Sequence, residues 1–153
     1  MPVRAPILRY FFKFVALTVL ILISTTSRAE QHTVGEFTVH YSLFNTSFLT
    51  AEVANQYGIK RSKRIVMLNI SIIQNAGKPN ETAVIGNVFG SGVSLAGQMK
   101  QLAFREVKEE NAIYYLAAFP INNGERLSFD LKVQPLKTGK LIPIKFKQQV
   151  YIN

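Results

Sequence analysis

One short stretch near the C-terminus constrains the fold most. Residues 127–133, LSFDLKV, alternate apolar and polar without a fault. Only an extended strand sends successive side chains to opposite faces, so a period of two means one buried face and one wet face. The pattern recurs along the chain. Phe37, Val39, Tyr41 and Leu43 alternate with Thr38, His40 and Ser42. Ile142, Ile144, Phe146 and Val150 share one face of a last strand over 141–152, and Lys145 and Lys147 share the other. Residues 65–73 are long and apolar around Asn69 and Ser71, as in a central strand covered on both faces. Residues 81–89, 101–109 and 112–119 complete a set of about seven strands. NAGKPN, GSG, EEN, PINNGE and QPLKTGK separate them as turns.

One segment departs from this period. In TAEVANQYG (50–58), Thr50 can cap a helix N-terminus, Glu52 suits the first turn, and Gly58 can take the left-handed position after the last turn. One short helix is expected near 50–57. The fold class that follows is all-β: a single antiparallel β-sandwich, of which an immunoglobulin-like arrangement is one form, with a closed barrel as the alternative.

The first 29 residues read differently. Arg4, Arg9 and Lys13 precede an apolar run from Phe14 to Ile23 that is interrupted only by Thr18. A bilayer-spanning helix needs about 20 apolar residues, and this run is about half that. It matches the core of a secretory leader, and Ser27-Arg28-Ala29 places small residues where signal peptidase requires them. Cleavage is expected after Ala29, giving a leader over 1–29 and one domain over 30–153, with no transmembrane helix in the mature chain. The competing reading is an uncleaved N-terminal anchor. The chain has no cysteine, which rules out disulfides and thiolate metal sites and favours a bacterial periplasm over a eukaryotic secretory route.

Removing the leader also changes the charge. The whole chain carries 18 basic and 9 acidic residues. Four of the basic ones lie in the leader, so 14 face 9 in the mature domain, a net charge of +5. That excess is modest, and nucleic acid is not an expected partner in this compartment.

The residues offer little for catalysis. There are two histidines, His32 in an N-terminal tail expected to be flexible and His40 on the polar face of the first strand. Neither His-x-His nor His-Glu-x-x-His occurs, so no metal site is expected. A serine triad would have to join His40 with Asp130, the only aspartate, and there is no nucleophile elbow. Glu106, Glu109 and Glu110 cluster at a strand end, but paired-carboxylate chemistry needs a cleft that the sequence does not announce. Gly86, Gly90, Gly92 and Gly97 match no phosphate-loop spacing and are read as turn and bulge glycines. No catalytic residue and no cofactor are assigned.

Two features remain as candidates for binding. Lys60, Arg61, Lys63 and Arg64 put four cations into five residues between the helix and the central strand. They can meet an acidic protein, an anionic glycan or a lipid headgroup, or simply keep a strand end solvated. Tyr114 and Tyr115 are adjacent, so a strand sends one inward and one outward, and the outward ring can serve as a stacking platform.

Three stretches carry a resemblance: VHYSLFNTSFLTAEVANQYGIKRSK (39–63), LAFREVKEENAIYYLA (102–117) and FKQQVYI (146–152). They resemble an uncharacterised family of small exported gammaproteobacterial proteins, a domain of unknown function numbered 4426. The resemblance spans the mature chain. It implies bacterial export and a single β-rich domain, and it supplies no activity, cofactor or catalytic residue. The resulting expectation is a periplasmic, non-enzymatic module that binds an envelope protein. A glycan- or lipid-binding module comes second and a hydrolase last.

Overall fold

The computed structural model describes residues 30–152. The leader and its cleavage point, read at 1–29, lie outside them. Among the described residues, ten strands form two antiparallel sheets. In chain order they are β1 (Glu30–Val34), β2 (Phe37–Asn45), β3 (Ile65–Gln74), β4 (Thr82–Ala83), β5 (Gly86–Ser94), β6 (Met99–Gln101), β7 (Arg105–Lys108), β8 (Ile113–Pro120), β9 (Glu125–Pro135) and β10 (Ile142–Val150). A 3-10 turn (Thr46–Phe48) and helix α1 (Ala51–Gln56) lie between β2 and β3.

The larger sheet runs β1-β2-β3-β8-β7, with β4 on the end of β3, and the smaller runs β10-β9-β5-β6. With β1 and β4 set aside, these orders coincide with the A-B-E-D and C′-C-F-G orders of immunoglobulin-type sandwiches. The immunoglobulin-like reading rests on strand order alone, since the chain has neither cysteine nor tryptophan. The sandwich itself is as expected.

The alternating residues build the core. Val39, Leu68, Ile70, Ile72, Leu131 and Val133 are wholly buried between the sheets. An aromatic column ties the layers together. Phe129 stacks on Phe146 at 4.6 Å within the smaller sheet, and Tyr41 of the larger sheet stacks on the same Phe146 at 4.6 Å. Each wholly buried aliphatic side chain of this core contributes about 1.5–3 kcal/mol. Tyr115 also crosses the interior. Its hydroxyl accepts from the Gly86 N–H (2.8 Å) and donates to Glu106 (3.0 Å).

Helix α1 forms where the sequence places it. Thr50 Oγ1 accepts from the Val53 N–H at 3.2 Å, and Gly58 follows the helix with φ +61°.

Three expectations are corrected. Glu30–Val34, read as a flexible tail, is an edge strand on β2, with His32 opposite Val39. The segment read as one strand over 81–89 divides: β4 pairs with β3 in one sheet and β5 pairs with β9 in the other. GSG (90–92) does not end a strand, because β5 continues through it to Ser94. The last two corrections have separate causes. A chain that changes sheets must bend at Val84–Ile85, and backbone passing close to a neighbouring strand needs glycine, so these glycines mark contact rather than termination.

Candidate functional site

The two segments between β2 and β3 place the candidate surfaces. β1 pairs with β2 only as far as Tyr41, whereas β2 runs on to Asn45. Residues 42–44 pair with β3 on one side. Among the described residues, no strand pairs with them on the other. A hollow of about 350 Å³ follows this open edge, lined by Tyr41, Leu43, Phe44, Phe48 and Phe146, with Glu30 and Gln148 at its ends. Phe48 is 67% exposed. Open backbone groups beside apolar side chains are what an added strand requires.

The basic loop is fixed at the end of this edge. Two buried polar residues hold its backbone. Asn45 Nδ2 donates to the Lys63 carbonyl and to the Tyr151 carbonyl, both at 2.9 Å. Thr46 Oγ1, wholly buried, donates to the Lys60 carbonyl (2.9 Å) and accepts from the Ser62 N–H (2.9 Å). Arg61 reaches the Ser47 carbonyl at 3.4 Å. Lys60, Arg61, Lys63 and Arg64 are all exposed, and no carboxylate among the described residues pairs with them. Cations on an anchored backbone lose less conformational freedom on binding than cations on a loose one. The Asn-Thr pair closing an apolar strand is the sequence signal for this anchoring.

Tyr114 and Tyr115 separate as adjacent strand residues must. Tyr115 is 4% exposed and belongs to the core, where it is unavailable as a platform. Burial, chiefly, raises its phenol above the ordinary value, and the Glu106 hydrogen bond adds to this. Tyr114 lies on the outer face of the larger sheet. There it lines a second cleft, of about 240 Å³, between that face and the α1 segment. Phe44, Met67 and Leu116 contribute to the sheet side, and Leu49, Val53, Tyr57 and Ile59 to the helix side. Tyr57 donates its hydroxyl to Glu109 and so ties the far end of the α1 segment to the β7–β8 turn. That bond is the main cause of the raised Tyr57 phenol. Asn69 also lines the cleft, and its buried Oδ1 has no hydrogen-bond partner. An unpaired buried acceptor costs about 1–3 kcal/mol, a cost sequence reading could not assign.

The remaining chemical candidates do not converge. His40 is on the outer face of the larger sheet, opposite Gln31 and Ser71, whereas His32 shares the face of Val39. The two imidazoles therefore point to opposite sides. Asp130 is on the outer face of the smaller sheet, paired with Lys145 at 3.0 Å, so the whole sandwich separates it from His40. Glu106 pairs with Lys108 (3.1 Å) and Tyr115, and these two bonds, Lys108 first, hold its carboxyl below the usual range. Glu109 is engaged by Tyr57. Among the described residues, no three of His, Cys, Asp and Glu group as metal ligands would.

Comparison with solved structures returns the same fold. A DUF4426 family protein from Pseudomonas aeruginosa PAO1 is 36% identical, with a TM-score of 0.69 over 81% of this chain and 95% of that one. FetP of uropathogenic Escherichia coli strain F11, expressed in the periplasm of E. coli, is 12% identical, with a TM-score of 0.58 over 80% of this chain and 93% of that one. A copper-bound variant of FetP gives a TM-score of 0.57 at the same identity. At 12% identity the FetP likeness concerns the fold alone. No curated protein matches this sequence significantly. The family model described as "Domain of unknown function (DUF4426)" matches residues 31–153, and the chain belongs to that family.

Proposed function

We propose that this protein is an exported, periplasmic, non-enzymatic module that binds another envelope protein by accepting one of its strands along the open edge of β2. The observation that carries this reading is the edge at 42–44, which no strand pairs among the described residues, bordered by an aromatic hollow and ending at an anchored cationic loop. Backbone pairing would supply affinity, and the hollow would take one partner side chain. The four cations would select a partner with acidic residues beyond the paired segment and speed its approach. Export is supported by the leader composition and the lack of cysteine. A non-enzymatic role is supported by the occupation of Glu106, Glu109 and Asp130 in local pairs. The copper of FetP is not carried over, because the two histidines here face opposite sides of a sheet.

The test is in-cell photo-cross-linking from position 42 or 44, with mass spectrometry of the adducts. One recurrent envelope protein is expected. Its yield should fall when all four cations of 60–64 become serine. No adduct from either position, with the chain folded and exported, removes the edge as a docking site. Adducts that persist unchanged in the serine variant remove the cationic loop from the reading.

A further inference from the structure

The excess charge of the protein lies in one hairpin. Residues 126–150 cover β9 after its first residue, the turn, and β10. They hold six of the 14 cations of residues 30–153 and one of the nine carboxylates. The rest of that span balances at eight of each, so the hairpin carries the whole net charge of +5. Its one carboxylate, Asp130, is paired with Lys145, and Glu125 just before it is paired with Lys100, both at 3.0 Å. Lys132, Lys137, Lys140 and Lys147 are exposed, and among the described residues no carboxylate pairs with them. Lys137 Nζ donates to Gln74 Oε1 and Gln74 donates to Glu36, so an amide stands between that cation and an acid.

Apolar side chains are exposed among these cations. Leu136 (57%) and Leu141 (47%) flank the turn, and Phe89 (46%) lies opposite Lys132 on the outer face of the smaller sheet. The turn between the leucines is fixed. The Thr138 and Gly139 N–H groups donate to the Pro135 carbonyl at 3.2 and 3.0 Å, and Gln134 Nε2 donates to the Gly139 carbonyl at 2.8 Å. Leucines held in water on a fixed turn forgo burial that the fold does not supply.

We propose that this turn docks the protein on an anionic lipid bilayer. Leu136, Leu141 and Phe89 enter the headgroup boundary, and the lysines around them meet lipid phosphates while their stems lie along apolar surface. A soluble polyanion would use the lysines and leave the leucines without a role. A protein partner would need a hollow shaped to a protruding tip, whereas a bilayer needs no shape.

The experiment uses the mature protein and vesicles of phosphatidylcholine, with and without phosphatidylglycerol. The chain has no tryptophan, so Leu136→Trp supplies a single fluorescent reporter at the tip. Its emission should shift to the blue, saturably, on phosphatidylglycerol vesicles at low salt, and the shift should shrink at high salt. Ala96→Trp, in the turn after β5 at the other end of that sheet, should show no shift. In sedimentation with the same vesicles, Lys137→Ser with Lys140→Ser should weaken binding about 25-fold. Leu136→Ser with Leu141→Ser should weaken it about tenfold or more. No blue shift from position 136 on anionic vesicles overturns the proposal. Equal binding to both kinds of vesicle, or unchanged binding in the double lysine variant, overturns the role of the cations. Failure to bind vesicles with retention on polyglutamate assigns the patch to an acidic protein instead. The docking hollow shares no residue with this patch, so neither test bears on the other.

Discussion

At Gly90 the backbone has φ +147°, a conformation that side chains rarely adopt. A Cβ there would stand 2.7 Å from the Leu131 Cα and collide with the Asp130 carbonyl. Neither neighbour can give way, because both are backbone of the central strand β9. Gly90→Ala should therefore destabilise the domain by about 3 kcal/mol or more through strain and overpacking, read as a lower urea midpoint. Glu106 makes a prediction in pH. Its folded carboxyl lies below the ordinary 4.5, held first by Lys108 and then by Tyr115. A depressed folded value favours the charged form, so its contribution is present above the unfolded pKa and is lost as pH falls through the folded one. The urea midpoint should drop on moving from pH 7 to pH 3, and Glu106→Gln should narrow that drop. The residue scale was partly legible. Alternation identified the buried face of β9, but nothing local distinguishes a glycine pressed against a neighbouring strand from a glycine in a turn.

Strand β10 is the exposed edge of the smaller sheet, and its composition suits that place. Lys145 and Lys147 project from the outer face, and Pro143 withholds a donor from the ladder. Replacing Lys145 and Lys147 together by valine should leave the fold intact but promote edge-to-edge association, visible as a concentration-dependent rise in light scattering. A variant that stays monomeric at high concentration would show that the lysines do not guard this edge. β2 differs from β10 in that its stretch 42–44, unpaired on that side among the described residues, carries Leu43 and Phe44 and no charge. That contrast is why the docking proposal is placed on β2. The helix was fully readable, because its cap, first-turn acid and terminal glycine are local signals. The edge strand β1 was not, because residues 30–34 alternate weakly and acquire their strand only by pairing with β2.

Across the whole molecule, Asn45 links three distant parts of the chain. It ends β2, holds the Lys63 carbonyl of the basic loop and holds the Tyr151 carbonyl beyond β10. Asn45→Ala should leave two carbonyls unpaired at a buried position and cost about 2 kcal/mol. For a domain of this size that lowers Tm by roughly 8 °C, measurable by circular dichroism. Amide exchange in residues 60–64 should speed up in the same variant, since the anchor of that loop is gone. An unchanged melting temperature would mean that water replaces both bonds without loss.

The sequence by itself determined the class of the fold, because a period of two can bury apolar side chains only in a sheet, and several such segments must stack. It also determined the helix and the cationic cluster, both set by neighbours within a few residues. Tertiary structure alone decided which strands pair, that residues 82–94 change sheets, and that Tyr115 spans the interior to Gly86. It alone set Phe89 opposite Lys132, although 43 residues separate them. The reason is physical: alternation fixes which face a residue occupies, while its neighbour across the sheet depends on register, and register is a property of two strands rather than one.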